Sequence, residues 1–117
     1  MPRYMALIDS PAEYEEVGEL REQVMAEYAA FEKEATAAGA IVDGNGLADT
    51  RSAVTIRSEG GRGRMRILSD GPFAETKEVL GGYFVLDCET QDEAIAWASR
   101  IPAAWRGAGE LRLIVGG

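Results

Sequence analysis

Between Asp70 and Tyr83 the chain gathers several kinds of group that could perform proton-transfer chemistry. Asp70 and Glu75 are carboxylates, Thr76 a hydroxyl, Lys77 a cation and Tyr83 a phenol. A carboxylate beside a carbonyl or lactone acts as a general base, a cation holds an anionic substrate, and a phenol donates to a developing oxyanion. Tyr4 offers a second phenol near the start of the chain, and Phe73 supplies an apolar surface inside the run. The candidate ligand-binding set is therefore Tyr4, Asp70, Phe73, Glu75, Thr76, Lys77 and Tyr83, on the rim of a pocket at the end of a sheet. The competing reading is a structural corner in which Phe73 plugs the core, since Gly and Pro are common turn residues. No catalytic residue is assigned.

The chain has no histidine, so every histidine-based nucleophile, general base and metal site is excluded. A carboxylate must be raised toward neutrality before it works as an acid or base near pH 7. Backbone donors around Asp70, and Lys77 near Glu75, favour the charged carboxylates instead. This leans away from an enzyme. No carboxylate spacing matches a hard-cation site, and neither metal nor cofactor is expected.

A net charge of -8 argues against non-specific binding to nucleic acid or to an anionic membrane. No apolar run reaches the length of a membrane span, and no signal peptide precedes Tyr4. Cys88 is the single cysteine, which excludes an intrachain disulfide and suits a reducing compartment. A cytoplasmic location is expected. With 117 residues, 46% of them hydrophobic, the chain is sized for one domain, 1–117, with a real core.

The elements that must position the candidate residues follow from periodicity. Arg3–Ile8 predicts a strand with Tyr4, Ala6 and Ile8 on one face and Met5 and Leu7 on the other, hence inside a sheet. Ser10-Pro11-Ala12-Glu13 predicts a helix start, with Ser10 as cap and Glu13 completing a capping box. Gly18 predicts an interruption. From Glu19 the pattern is helical, with Leu20, Val24, Tyr28, Phe31 and Ala35 at spacings of three and four, and Gly39 is the stop. Glu22, Glu27, Glu32 and Glu34 read as a solvated face, the alternative being a dock for a basic partner.

Ile41–Leu47 predicts a short strand broken by Gly44 and Gly46. Val54–Arg57 and Met65–Leu68 predict a hairpin turning at Glu59–Gly63. Its arginines, Arg57, Arg62, Arg64 and Arg66, read as edge protection or as an anion or oligomer contact. Asp70-Gly71-Pro72 predicts a tight corner, then a helical turn over Phe73–Glu78, with a bulge or close approach at Gly81 and Gly82. Tyr83–Cys88 predicts a central strand, apolar on both faces. Thr90-Gln91-Asp92-Glu93 is a second capping box. The helix behind it should bury Ala94, Ile95, Ala98 and Trp97 and end near Pro102. Glu110–Val115 predicts the last strand, with Leu111, Leu113 and Val115 facing inward.

The order predicts an α+β fold in which two helices cover one face of an antiparallel sheet. Strands apolar on both faces leave the other side to be covered, most simply by a second copy, so a homodimer is expected.

The run Asp70-Gly71-Pro72-Phe73-Ala74-Glu75-Thr76-Lys77-Glu78 with Leu80-Gly81-Gly82-Tyr83 resembles the signature of the YCII-related family, in its DGPF-domain branch. The resemblance extends from Tyr4-Met5-Ala6-Leu7-Ile8 through Gly46-Leu47-Ala48 to Trp97-Ala98 and Ile101-Pro102-Ala103-Ala104. It implies a ferredoxin-like, dimeric α/β-barrel type of domain with an added hairpin, and raises the weight of Asp70–Tyr83 as a pocket rim. It also implies a sigma factor as partner, since some members of the branch stand beside extracytoplasmic-function sigma factors. Enzymatic relatives are small-molecule lyases or isomerases that use a histidine–aspartate pair. Ile101-Pro102 stands where they tend to carry an acidic residue before proline. The function read from the sequence is thus a small dimeric ligand- or partner-binding module linked to sigma-factor regulation. The alternative is a lyase or isomerase using carboxylates in place of histidine.

Overall fold

The computed structural model describes residues 1–11, 19–48, 50–60, 65–70 and 78–116. They form β1 (Arg3–Pro11), α1 (Glu19–Ala37), β2 (Ile41–Gly46), a 3-10 turn (Thr50–Ser52), β3 (Val54–Glu59), β4 (Met65–Asp70), β5 (Glu78–Asp87), α2 (Gln91–Ala98), α3 (Ala103–Arg106) and β6 (Ala108–Leu113). Two compact units result, one of residues 1–47 with 78–117, the other of residues 48–77.

The larger unit is an α+β domain around a four-stranded sheet in the order β2-β5-β1-β6. Neighbours in the sheet are antiparallel. This is the ferredoxin-like arrangement. β1 and β5, apolar on both faces, take the two central places; the glycine-rich β2 and the charged β6 take the edges, where short polar strands discourage further pairing.

Two local features decide the ends of the β1–β5 ladder. Ile8 pairs with Gly82 and Asp9 with Leu80, so Gly81 is the extra residue of a bulge, as its sequence predicts. Ser10 and Pro11 correct the expected helix start: both continue β1, opposite Val79 and Glu78. β6 pairs β1 only as far as Asp9, so among the described residues Pro11 has no β6 residue opposite it to receive an N–H. Glu78 likewise opens β5 instead of closing a helical turn. Gly18, and the corner between Asp70 and Glu78, lie outside the described residues.

α1 runs for 19 residues and ends as Gly39 dictates. Gly39 has φ +72°. Its N–H donates to Thr36 O at 3.0 Å and that of Ala40 to Ala35 O at 2.9 Å, the paired bonds of a Schellman motif. Ala35 and Ala40 are both buried there. One core joins the helices to a single face of the sheet: Tyr4, Ala6, Ile8, Phe84 and Leu86 from the strands meet Phe31 and Ala35 of α1 and Ala94 of α2. Phe84 packs edge-on to Phe31 at 5.2 Å and stacks with Tyr28 at 6.4 Å.

Thr90 caps α2 as expected, its Oγ1 accepting from the Glu93 N–H at 3.1 Å. Glu93 Oε2 accepts in return from the N–H of Glu89. The inward set differs from expectation. Ala94 is buried, but Ile95 is half exposed, and Leu113 and Val115 are exposed. β6 is an edge strand that ends at Leu113, so Val115 lies outside the sheet. The chain after Pro102 forms α3, a single turn absent from the sequence reading.

The acidic face of α1 is only partly solvated. Arg106 of α3 clasps Glu27, and Arg100 pairs with Glu34 while lying 4.8 Å over the ring of Trp97. Buried Cys88 has its thiol pushed up, first by burial and then by the carboxylates of Glu93 and Asp87. No described helix is long and apolar enough to cross a membrane.

In the smaller unit β3 and β4 form an antiparallel hairpin from Val54↔Asp70 to Glu59↔Met65. Gly60 enters its turn with φ +73°. Arg57 pairs with Ile67 and Arg66 with Ser58 in the register; Arg62 and Arg64 lie outside the described residues.

Candidate functional site

A cavity of 540 Å³ opens on the helix side of the larger unit's sheet, between α1 and the β2–β5 pair. That volume lies within the range of small-molecule sites. Met25, Tyr28 and Glu32 of α1 form one wall. Ile8 and Phe84 form the apolar back, and Gly44, Gly46, Gly81 and Gly82 the floor. Ridge spacing on α1 explains the wall, since residues 25, 28 and 32 are three and four apart and share one side of the helix. Glu32 is exposed and brings a carboxylate to the solvent side; no lysine or arginine lines the cavity among the described residues.

Bare backbone faces bare backbone at one rung of the floor and a phenylalanine at another. Gly46 pairs with Gly82, and Gly44 with Phe84. A Cβ at Gly44 would stand 2.5 Å from Phe84 Cδ1, and one at Gly82 would stand 2.7 Å from the Asn45 carbonyl oxygen. Only glycine permits these approaches.

Tyr83 sits beside this floor on β5, but its side chain belongs to the opposite face of the sheet. Phe84 points to α1, and adjacent residues of a strand alternate. There the Tyr83 hydroxyl accepts from Asn45 Nδ2 at 2.9 Å and donates to Asp43 Oδ2 at 3.5 Å, the latter at the limit of a hydrogen bond. Met5, Leu7 and Val85 lie on the same face by register, and no helix of this unit covers it. A smaller cavity of 310 Å³ separates α2 and α3 from β1 and β6, lined by Ala6, Ile95, Ala98, Ile101 and Leu111.

The residues named from sequence are distributed as follows. Tyr4 is in the core, on the face toward the helices. Tyr83 borders the cavity through its place on β5 and turns its phenol to the other face. Asp70 is the last residue of β4, in the hairpin unit. Phe73, Glu75, Thr76 and Lys77 lie outside the described residues. Tyr4 and Tyr83 therefore do not share one concavity. Sequence reasoning missed Met25, Tyr28 and Glu32 as wall residues: the core stripe absorbed Tyr28, the charged face absorbed Glu32, and Met25 belonged to neither pattern. The available signal was the pairing of two glycine-spaced segments, Gly44/Gly46 and Gly81/Gly82. Among the described residues no group of three or more His, Cys, Asp or Glu is placed to hold a metal ion.

An uncharacterized protein of Rhizobium meliloti is similar to this chain, 39% identical over 77 residues, or 66% of this chain and 60% of that protein. The match thus spans less than two thirds of that relative's length. The fold is similar to a solved 5-chloro-2-hydroxyhydroquinone dehydrochlorinase of Burkholderia phenoliruptrix in complex with 2,5-dihydroxybenzoquinone. The TM-score is 0.52 and the identity 17%, covering 100% of this chain and 96% of that one. The model of the YCII-related domain matches residues 2–116, and the chain belongs to that family.

Proposed function

We propose that this protein is a small-molecule-binding module acting as a homodimer, with the cavity between α1 and the β2–β5 floor as its site. The 540 Å³ cavity carries this reading. Its back is apolar, its floor is side-chain-free backbone, and Glu32 supplies the acceptor that orients an occupant. A flat, uncharged ring satisfies all three surfaces. Asp70, Phe73, Glu75, Thr76 and Lys77 are kept in the proposal as ligand-binding residues on the strength of the sequence run alone.

Second-copy packing fits the sheet face away from the helices, where Met5, Leu7 and Val85 form an apolar centre. Exposed Glu110 and Arg112 stand beside them on β6. Light scattering at micromolar concentration should return twice the chain mass, and Leu7→Glu should return the chain mass. A wild-type monomer overturns the dimer.

Ligand binding is tested by titrating labelled protein with phenol, hydroquinone and 2-naphthol and following backbone amide resonances. Shifts should concentrate at residues 44–46 and 81–84. No shift at millimolar ligand overturns the binding reading.

A carboxylate-dependent lyase or isomerase is the second reading. Glu32 on the cavity wall favours it, together with the dihydroxybenzoquinone held by a protein of the same fold. Glu32 would take a proton from a ring carbon or hydroxyl. Turnover of chlorinated hydroxyhydroquinones that disappears in Glu32→Gln would establish this reading in place of simple binding.

A further inference from the structure

The glycines of the cavity floor exist for different reasons. At Gly44 and Gly82 the protein's own atoms fill the space a side chain would need: Phe84 Cδ1 at 2.5 Å in one case, Asn45 O at 2.7 Å in the other. At Gly46 a Cβ would meet nothing within 4 Å. Nor does its backbone ask for glycine, because the positive-φ glycines among the described residues are Gly39, Gly60 and Gly116. A glycine in a strand forfeits chain entropy and leaves nothing to pack, so a position with neither steric nor conformational need for it is unexplained by the fold.

The direction of the missing side chain supplies the explanation. Gly46 is two residues from Gly44 on β2, so both present the same face. A Cβ at Gly44 would run into Phe84, which packs against Tyr28 and Phe31 of α1, so this is the helix side of the sheet. A side chain at position 46 would rise from the floor into the 540 Å³ cavity. Opposite it across the ladder is Gly82, also without a side chain, its own Cβ position filled by Asn45 O. Both line the cavity with backbone, and of the two it is Gly46 that has open space above it.

We propose that Gly46 is the specificity-determining position of the cavity, the seat against which the flat face of a bound ring lies. The proposal rests on the small-molecule reading of this cavity. Its floor selects planar occupants, because only a flat group contacts both strands while clearing the Tyr28–Phe84 wall. Any side chain at position 46 occupies that volume first. Gly44 and Gly82 hold the strands in register, and Gly46 alone of the three keeps space for something outside the chain.

The test compares 2-naphthol binding and thermal unfolding in the wild type, Gly46→Ala, Gly46→Val and Gly44→Ala. Gly46→Val should weaken binding by about tenfold or more, the size of an ordinary steric conflict. Gly46→Ala should weaken it less. Both should unfold at or above the wild-type midpoint, whereas Gly44→Ala should unfold lower. Undiminished binding by Gly46→Val overturns the assignment and leaves the binding reading intact. A midpoint for Gly46→Ala as low as that of Gly44→Ala makes Gly46 a structural glycine and also overturns it. Absence of binding by the wild type across phenol, hydroquinone and 2-naphthol overturns the reading beneath it.

Discussion

Arg106 and Glu27 meet as a fork: Nε donates to Oε1 at 2.6 Å and Nη2 to Oε2 at 2.8 Å. The pair fastens α3 to α1 across 79 residues of sequence. Arg106 holds the Glu27 carboxyl below its ordinary range, first through the hydrogen bond and then through its charge, against an opposing push from desolvation. A carboxyl with a depressed folded-state pKa contributes stability above its unfolded value, near 4.5, and loses it as pH falls through the lower folded value. Glu27→Gln should therefore lower the unfolding midpoint at pH 7 and lose that deficit as pH falls from 4.5 through the lower folded value. Arg106→Lys should also lower it at pH 7, since an ammonium cannot make the paired contact. Circular dichroism melts across pH check both.

Cys88 points to the opposite end of the pH scale. Its thiol is raised above 9.0, chiefly by burial, so the native state holds its proton at pH values where the unfolded chain has released it. The unfolded state then binds fewer protons, and stability falls as pH rises beyond 9. The thiolate is the reactive form, so native protein should react slowly with an aromatic disulfide reagent at pH 8 and quickly once denatured. Fast stoichiometric labelling of folded protein would contradict the burial argument.

The central part of the fold was legible because it is written in periodicity. Met5, Leu7, Val85 and Phe84 give β1 and β5 two apolar faces, and both strands are central. Gly39 marked the end of α1, and Gly81 the bulge, because each is a local backbone requirement. Ser10-Pro11 was misread because a capping-box pattern is local, whereas the end of β1 depends on where β6 stops. The same limit applies to the site. Tyr28 and Glu32 belong to a cavity only because α1 crosses the glycine floor of β2 and β5, a meeting of segments far apart in sequence. Tyr4 and Tyr83 looked like partners as two phenols, but strand alternation sends them to opposite faces.

Thr90 tests a contribution confined to one helix end. Its hydroxyl satisfies the Glu93 N–H, one of the donors that the first turn of α2 leaves open. Thr90→Ala should cost about 1 kcal/mol, within the usual range for removing a cap. Thr90→Ser keeps the oxygen and should cost less. Chemical denaturation resolves differences of this size, and an unchanged midpoint in Thr90→Ala would mean that water replaces the hydroxyl without loss.

Gly82 is the sharpest structural glycine. An added Cβ would lie 2.7 Å from Asn45 O and 3.2 Å from Gly46 Cα, both backbone atoms of the paired strand. A side-chain neighbour could rotate away, but these atoms move only if β2 moves. Among the described residues β2 is an edge strand paired in the sheet with β5 alone, so displacement is the available relief. Gly82→Ala should therefore cost roughly 1–3 kcal/mol, the range for forced overpacking. Hydrogen exchange should show the loss first in β2, at the Leu47 N–H that donates to Gly81 O and at the amides of residues 43–46. The β1–β6 pairing lies on the far side of β1 and should keep its protection. Uniform loss across all four strands would mean that β2 and β5 unfold as one unit with the rest, and that the edge does not yield separately.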